Sequence, residues 1–446
     1  MCLKARKNYY FELLRLAIPI VLQGLVSFSL SLANNVMVRS LGNTAVSSVY
    51  MANQVQLLLT FVITAVEGTL LVAVSRSLGA NDTDGARRRA SLGVLLSLLV
   101  SLLFFIPSFF FPHSVVSLFT DKSDFILKGA EYLRTLSVSF IPFSLSQALS
   151  AAMRASKKAK IGFFASVIAL VVNIALNFAL IYGELGVVGA GISSAVARFA
   201  ELAFLFAAVF IFDKKLSLRP MDFFRFNKAS AREFIKLGYP LILSQLVWGV
   251  NSFFSTALIG RLDGVGIVAA VSCASALYNL SYVATNGISG ALGIVCARYL
   301  GAGRGEELRE HINATQLLFV FLGVLTALVM QGLRLPFISL FKLEKAAAYH
   351  ATAFIGILSA LSVATAYQSS TLSGFIRSVG DTKFIMKTEA FSVFCIIIPL
   401  SLLAWGIGAH AWIIFFVLKC DQLVKCPIAF FKLKSLKSKL KFTNNA

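Results

Sequence analysis

Phe11 to Ala80 reads FELLRLAIPIVLQGLVSFSLSLANNVMVRSLGNTAVSSVYMANQVQLLLTFVITAVEGTLLVAVSRSLGA. Its landmarks return far downstream. Leu16-Ala17-Ile18-Pro19 is echoed by Leu237-Gly238-Tyr239-Pro240, and Ser77-Leu78-Gly79-Ala80 by Tyr299-Leu300-Gly301-Ala302. Pro19 and Pro240 stand 221 residues apart, and Gly79 and Gly301 stand 222 apart. Arg154 with Lys160 recurs as Arg377 with Lys383, 223 apart. The chain therefore reads as a duplication with small loop insertions. Between the landmarks the residues are almost wholly apolar, with the single carboxylate Glu67 deep among them.

The apolar bias holds along all 446 residues. Hydrophobic side chains make up 58% and charged ones 14%, against roughly a quarter charged in soluble domains. Runs of about twenty apolar residues recur, each long enough as a helix to cross a hydrocarbon core of about 30 Å. Leu92 to Phe111 does not alternate polar with apolar, which excludes a β-barrel strand. The sequence predicts an all-α polytopic membrane protein of twelve spans, near 13–38, 47–75, 90–111, 125–152, 160–183, 187–212, 232–259, 266–297, 311–333, 346–376, 383–407 and 409–431.

Net charge +21 would suggest nucleic acid in a soluble chain. Here the bases fall in short loops between spans, so no nucleic-acid partner is expected. Arg87, Arg88 and Arg89, Lys157, Lys158 and Lys160, the linker bases Lys214, Lys215, Arg219, Arg225 and Lys228, and Arg304 with Arg309 share one face. The N-terminus and the tail from Lys432 to Lys441 fall there too. The other face carries few bases, among them Arg39, Lys122, Arg261 and Lys342. That asymmetry predicts two cytoplasmic termini and a multi-pass protein of the bacterial inner membrane, expected as a monomer. Both halves start on the same side, so the repeat is parallel, with domains 1–220 and 221–446 and a cavity where such halves meet. The six cysteines show no metal spacing and are expected as free thiols. Four scattered histidines and the lack of a phosphate-binding Gly-x-x-x-x-Gly-Lys-Ser/Thr loop argue against a metalloenzyme or ATPase.

Ionisable groups inside a span are expensive and mark function by default. Glu67 lies nine residues before Arg76, about 13 Å along a helix, and is the leading ion-coupling candidate. Arg198 and Glu201 share a face of span six; they read as an intrahelical ion pair, or more sharply as a network with Glu67. Asn34, and Asn173 with Asn177 one turn apart, are the supporting polar groups. Gln147, Gln245, Trp248, Tyr278, Tyr282 and Gln368 are candidates for a substrate cavity, the aromatic ones because their π faces suit a cation. Spans eight to ten hold no Asp or Glu, and Glu389 follows Lys383 by only six residues. An ion site is therefore expected in the first half.

The chain resembles the multidrug and toxic compound extrusion family over essentially its whole length. The carriers are Ile18-Pro19, Asn34-Asn35-Val36-Met37-Val38, Leu41-Gly42, Ser75-Arg76-Ser77-Leu78-Gly79-Ala80 with its echo Leu300-Gly301-Ala302, and Arg154-Ala155-Ser156 with Arg377-Ser378-Val379-Gly380-Asp381-Thr382-Lys383. The resemblance implies twelve helices in two six-helix lobes forming a V. It also implies export of organic, typically cationic, compounds in exchange for H⁺ or Na⁺, with no other cofactor. Members often carry an acid where this chain has Asn34, Gln245 and Asn177, and a glycine where it has Arg39. Amides do not exchange protons, so Glu67 is expected to supply the missing charge. The other reading is a lipid-linked oligosaccharide flippase of similar fold, which would place bases in its cavity; Arg198 is the clear mid-span base.

Overall fold

The computed structural model describes residues 2–39, 43–120, 123–181, 185–211, 228–262, 266–341 and 343–440, with Leu216, Leu218 and Asp222. Leu41-Gly42, Lys122, Lys214, Lys215, Arg219, Arg225, Lys342 and Lys441, all used in the sequence reading, lie outside the described residues. The secondary structure described is entirely helical. The first eight helices are α1 (Cys2–Arg39), α2 (Asn43–Gly79), α3 (Thr83–Phe110), α4 (Pro112–Ser117), α5 (Ser123–Ser137), α6 (Phe140–Ala155), α7 (Ala159–Ile181) and α8 (Gly186–Phe206). They are followed by α9 (Lys228–Ile259), α10 (Ile267–Gly301), α11 (Gly305–Leu340), α12 (Lys345–Ser369), α13 (Arg377–Val379), α14 (Thr382–Ala390), α15 (Ile398–Gly406), α16 (Ala411–Lys419) and α17 (Asp421–Lys439).

Among the described residues ten helical stretches are long and apolar enough to cross a bilayer, and the α5–α6 pair makes an eleventh. That pair is bent by 45°. Pro142 sits in the first turn of α6; it lacks an N–H, and in one unbroken helix its ring would strike the carbonyl of Val138. The run expected near 409–431 is two helices, α16 and α17, meeting at Cys420. Leu103, Phe110, Leu317 and Leu328 point outward, which suits hydrocarbon rather than water.

The duplication is visible in the backbone. Non-helical φ > 0 is rare outside glycine, yet Asn81 (φ 58°) and Lys157 (φ 65°) adopt it. Their counterparts in the second half are Gly303 (φ 71°) and Gly380 (φ 86°), and Gly186 (φ 47°) is matched by Gly408 (φ 68°). Each pair keeps the 222- or 223-residue offset of the sequence landmarks. The corners after paired helices are therefore built alike, and Asp82 and Asp381, each following such a corner, both cap the next helix through their side chains.

The chain divides into two compact units, Ile18–Ile242 and Met1–Ala17 with Leu243–Ala446. Both boundaries fall beside a proline inside a helix, Pro19 in α1 and Pro240 in α9, where one i to i−4 hydrogen bond is absent. The first residues join the second unit through Tyr9, which is fully buried. Its ring stacks on His311 at 4.3 Å, and its hydroxyl lies 3.3 Å from Thr315 Oγ1.

In the N-terminal unit α2, α3 and α6 pack around Leu70, Val74, Ala86, Ala90, Ala148, Ala151, Ala152 and Ala155. Small residues let helices approach closely where lipid gives no hydrophobic drive. In the C-terminal unit Gly323 performs that service: a Cβ built on it would lie 2.6 Å from Val363 Cα, and its carbonyl accepts from Ser362 Oγ at 3.0 Å. Gly323→Ala is therefore expected to push α11 off α12 and to lower stability by about 1–3 kcal/mol, read from thermal unfolding in detergent.

Two π-helical segments, Ser370–Ile376 and Phe391–Ile397, interrupt this unit's helices after α12 and α14. Side chains tie the first of them down. Ser370 Oγ donates to Gln316 Oε1 at 3.0 Å, Gln316 Nε2 donates to Thr371 Oγ1 at 2.7 Å, and Ser289 Oγ donates to the Ser369 carbonyl at 2.8 Å.

Candidate functional site

Three polar groupings lie within the apolar helices. The first is a chamber of about 290 Å³ inside the N-terminal unit, lined chiefly from α1, α2 and α8, with Asn173 from α7 and Tyr132 from α5, near the lower end of the ligand-pocket range. Asn34, Asn173 and Arg198 line it. The one-turn spacing on α7 puts Asn173 and Asn177 on one face, and Asn177 Nδ2 donates both to Asn173 Oδ1 at 2.9 Å and to Asn34 Oδ1 at 2.7 Å. That double donation orients both acceptor amides. It leaves Asn173 Nδ2 and Asn177 Oδ1 buried with no protein partner. Arg198 Nη1 is 2.7 Å from Glu201 Oε2. Ser166 Oγ donates to the other Glu201 oxygen at 3.4 Å, and the guanidinium lies 4.9 Å from the Phe143 ring centre. The pair is the intrahelical one that its i, i+3 spacing predicts.

The second grouping holds Glu67, and here the sharper expectation is corrected. Glu67 does not join Arg198 and Glu201, nor does it line the chamber. Its Oε1 is 2.6 Å from Arg154 Nη2, with the two side chains 19% and 11% exposed. The reason is packing: α6 runs against α2 and brings its last-turn Arg154 to Glu67 before α8 can reach it. Arg154 drew notice in the sequence only as a repeat landmark. Its ion-pair role has no local signal, since the partners are 87 residues apart.

The third grouping lies in the C-terminal unit, where the sequence reading expected no comparable acid. Lys425, 2% exposed, donates from Nζ to Glu389 Oε2 at 2.6 Å and to Asp421 Oδ2 at 2.9 Å. Gln422 Nε2 donates to Asp421 Oδ2 at 2.7 Å, and Gln368 Nε2 to Gln422 Oε1 at 2.8 Å. Lys432 pairs with Asp381 at the start of α14. Asp421 lies eleven residues before Lys432 and Glu389 eight residues after Asp381, so both sit about 12–16 Å further along their helices. The i, i+4 pair Asp421 and Lys425 inside an apolar run was the signal that could have found this group.

The remaining candidates scatter. Gln147 is half-buried on α6 and does not line the chamber. Gln245 is half-buried on α9, and Trp248 is 47% exposed. Tyr278 and Tyr282 stack in parallel at 5.6 Å on α10, and Tyr278 donates to Thr365 Oγ1 at 3.4 Å. Of the predicted cavity residues, Gln368 reaches the Lys425 group through Gln422. Among the described residues no cluster of His, Cys, Asp and Glu could hold a metal ion.

Long apolar helices, a duplicated backbone and buried polar groups within them define a polytopic helical membrane protein of the transporter kind. The MatE family model matches residues 19–179 and again 240–403, opening each time on the repeat prolines, and the chain belongs to the multidrug and toxic compound extrusion family. It is similar to a probable multidrug resistance protein NorM of Thermotoga maritima, 24% identical over 91% of this chain and 89% of that one. It is also similar to the multidrug resistance protein PmpM of Pseudomonas aeruginosa, 23% identical over 90% and 84%. Among solved structures, an outward-facing multidrug resistance MATE transporter superposes with a TM-score of 0.89 at 19% identity, covering 96% of each chain. A transporter from Pyrococcus furiosus, described as having a binding pocket of reversed polarity, superposes with 0.86 at 20% identity, again over 96% of each.

Proposed function

We propose that this chain is a secondary active exporter of amphipathic organic compounds, driven by exchange for H⁺ or Na⁺. The observation that carries the reading is the match of its relatives, which bear multidrug-resistance names and cover nine-tenths of the chain. Glu67 is the proposed coupling group. It is partly accessible and held by one strong pair to Arg154; a proton on its carboxylate would cancel the charge that holds α2 to α6 at this point. Asn34, Asn173 and Arg198 line the polar chamber of the same unit, and Asn177 and Glu201 hold them from behind. The stacked Tyr278–Tyr282 pair offers a π face to a cationic cargo. The protein would reside in the bacterial inner membrane with both termini cytoplasmic, acting as a monomer.

A flippase would need bases in its cavity; the clear mid-span base is Arg198, and its guanidinium already faces Glu201, which favours the exporter. The test uses vesicles reconstituted with the full chain and a fluorescent organic cation. An imposed H⁺ or Na⁺ gradient is expected to drive accumulation at least about tenfold above vesicles without a gradient, equivalent to about 1.4 kcal/mol of coupling. Transport of lipid-linked sugars with no movement of the dye would overturn the assignment.

A further inference from the structure

We infer that the chamber of the N-terminal unit binds a small uncharged polyol, or the polyhydroxylated part of a larger substrate, and not the coupling ion. This deepens the exporter reading by naming the chemistry that one of its sites takes. The chamber's charge decides first. Among the described residues no carboxylate lines it, so a metal cation or ammonium group entering the chamber would find no acid in its walls to receive it. An anion fares no better. Arg198 is already matched by Glu201 at 2.7 Å and covered by the Phe143 ring, so an added anion would leave net negative charge inside a span, where charge is costly.

What remains is hydrogen bonding, in both directions. Asn173 is 1% exposed, lines the chamber, and has an Nδ2 without a protein partner. A buried donor left unpaired costs about 1–3 kcal/mol, which a ligand oxygen would recover. Ser31 and Thr60 also line the chamber, and their hydroxyl protons are already given to the carbonyls of Ser27 and Gln56 at 3.2 and 2.7 Å. They therefore face the chamber as acceptors. Asn53, also in the lining, accepts the Tyr132 hydroxyl through its Oδ1 at 3.2 Å. A ligand meeting donors and acceptors side by side needs groups that do both, and the hydroxyl is that group.

The test is equilibrium binding of radiolabelled glucose to the full chain in nanodiscs, with no ion gradient. Its failure is therefore separable from failure of coupled export. Saturable binding is expected, unchanged by Na⁺. Equal concentrations of tetramethylammonium or acetate are expected not to compete. Asn173→Ala is expected to weaken binding about tenfold. Thr60→Val keeps the shape and removes one acceptor, and is expected to weaken it several-fold, which keeps the inference testable if Asn173→Ala does not fold. Absence of saturable glucose binding to monodisperse protein, or displacement by either ion, would overturn it.

Discussion

Lys425→Met is expected to cost the C-terminal unit about 3–5 kcal/mol, the loss seen when one partner of a buried ion pair is removed. The side chains of Lys425, Asp421 and Glu389 are 3%, 7% and 16% exposed, so neither acid would be rescued by bulk water. The substitution removes the ammonium and leaves two carboxylates, on α14 and α17, that had shared it. Their repulsion and desolvation, more than the lost attraction, set the size of the effect. The consequence is a sign that simple deletion of contacts does not give. Lys425→Met combined with Glu389→Gln and Asp421→Asn is expected to be more stable than Lys425→Met alone, because no unpaired buried charge remains. Thermal unfolding in detergent reads both. Equal stability of Lys425→Met and the unaltered protein would mean that the acids do not depend on Lys425.

The second large effect concerns Arg154. Arg154→Met leaves the Glu67 carboxylate without its 2.6 Å partner, at an expected cost of about 3 kcal/mol. Glu67→Gln leaves a guanidinium that still reaches the Ser150 carbonyl at 3.5 Å, and is expected to cost less. The two substitutions together are expected to cost less than their sum, and the difference measures the pair directly. A strictly additive result would show that the close approach carries no energy.

Much of the architecture was legible because membrane physics writes it in local runs. Apolar length marked eleven of the twelve expected spans, and the repeat offsets reappear as paired left-handed corners at Asn81 and Gly303 and at Lys157 and Gly380. The Asn173–Asn177 face was legible from one-turn spacing on α7. What the sequence hid was partnership across helices. That Asn34 completes the amide chain, that Glu67 finds Arg154 rather than Arg198, and that Glu389 meets Lys425 are outcomes of which helices touch, and no periodicity encodes them. The bend at Pro142 was hidden for another reason: an apolar run reads the same whether one helix or two cross it.

Glu67 is the proposed link between ion entry and export. The most direct measurement is proton movement evoked by adding substrate to reconstituted vesicles, followed with a pH dye for the unaltered chain and for Glu67→Gln. Substrate is expected to evoke proton movement with the unaltered chain and none with Glu67→Gln, while binding of the substrate persists in both. Equal proton movement in both would contradict the assignment of Glu67.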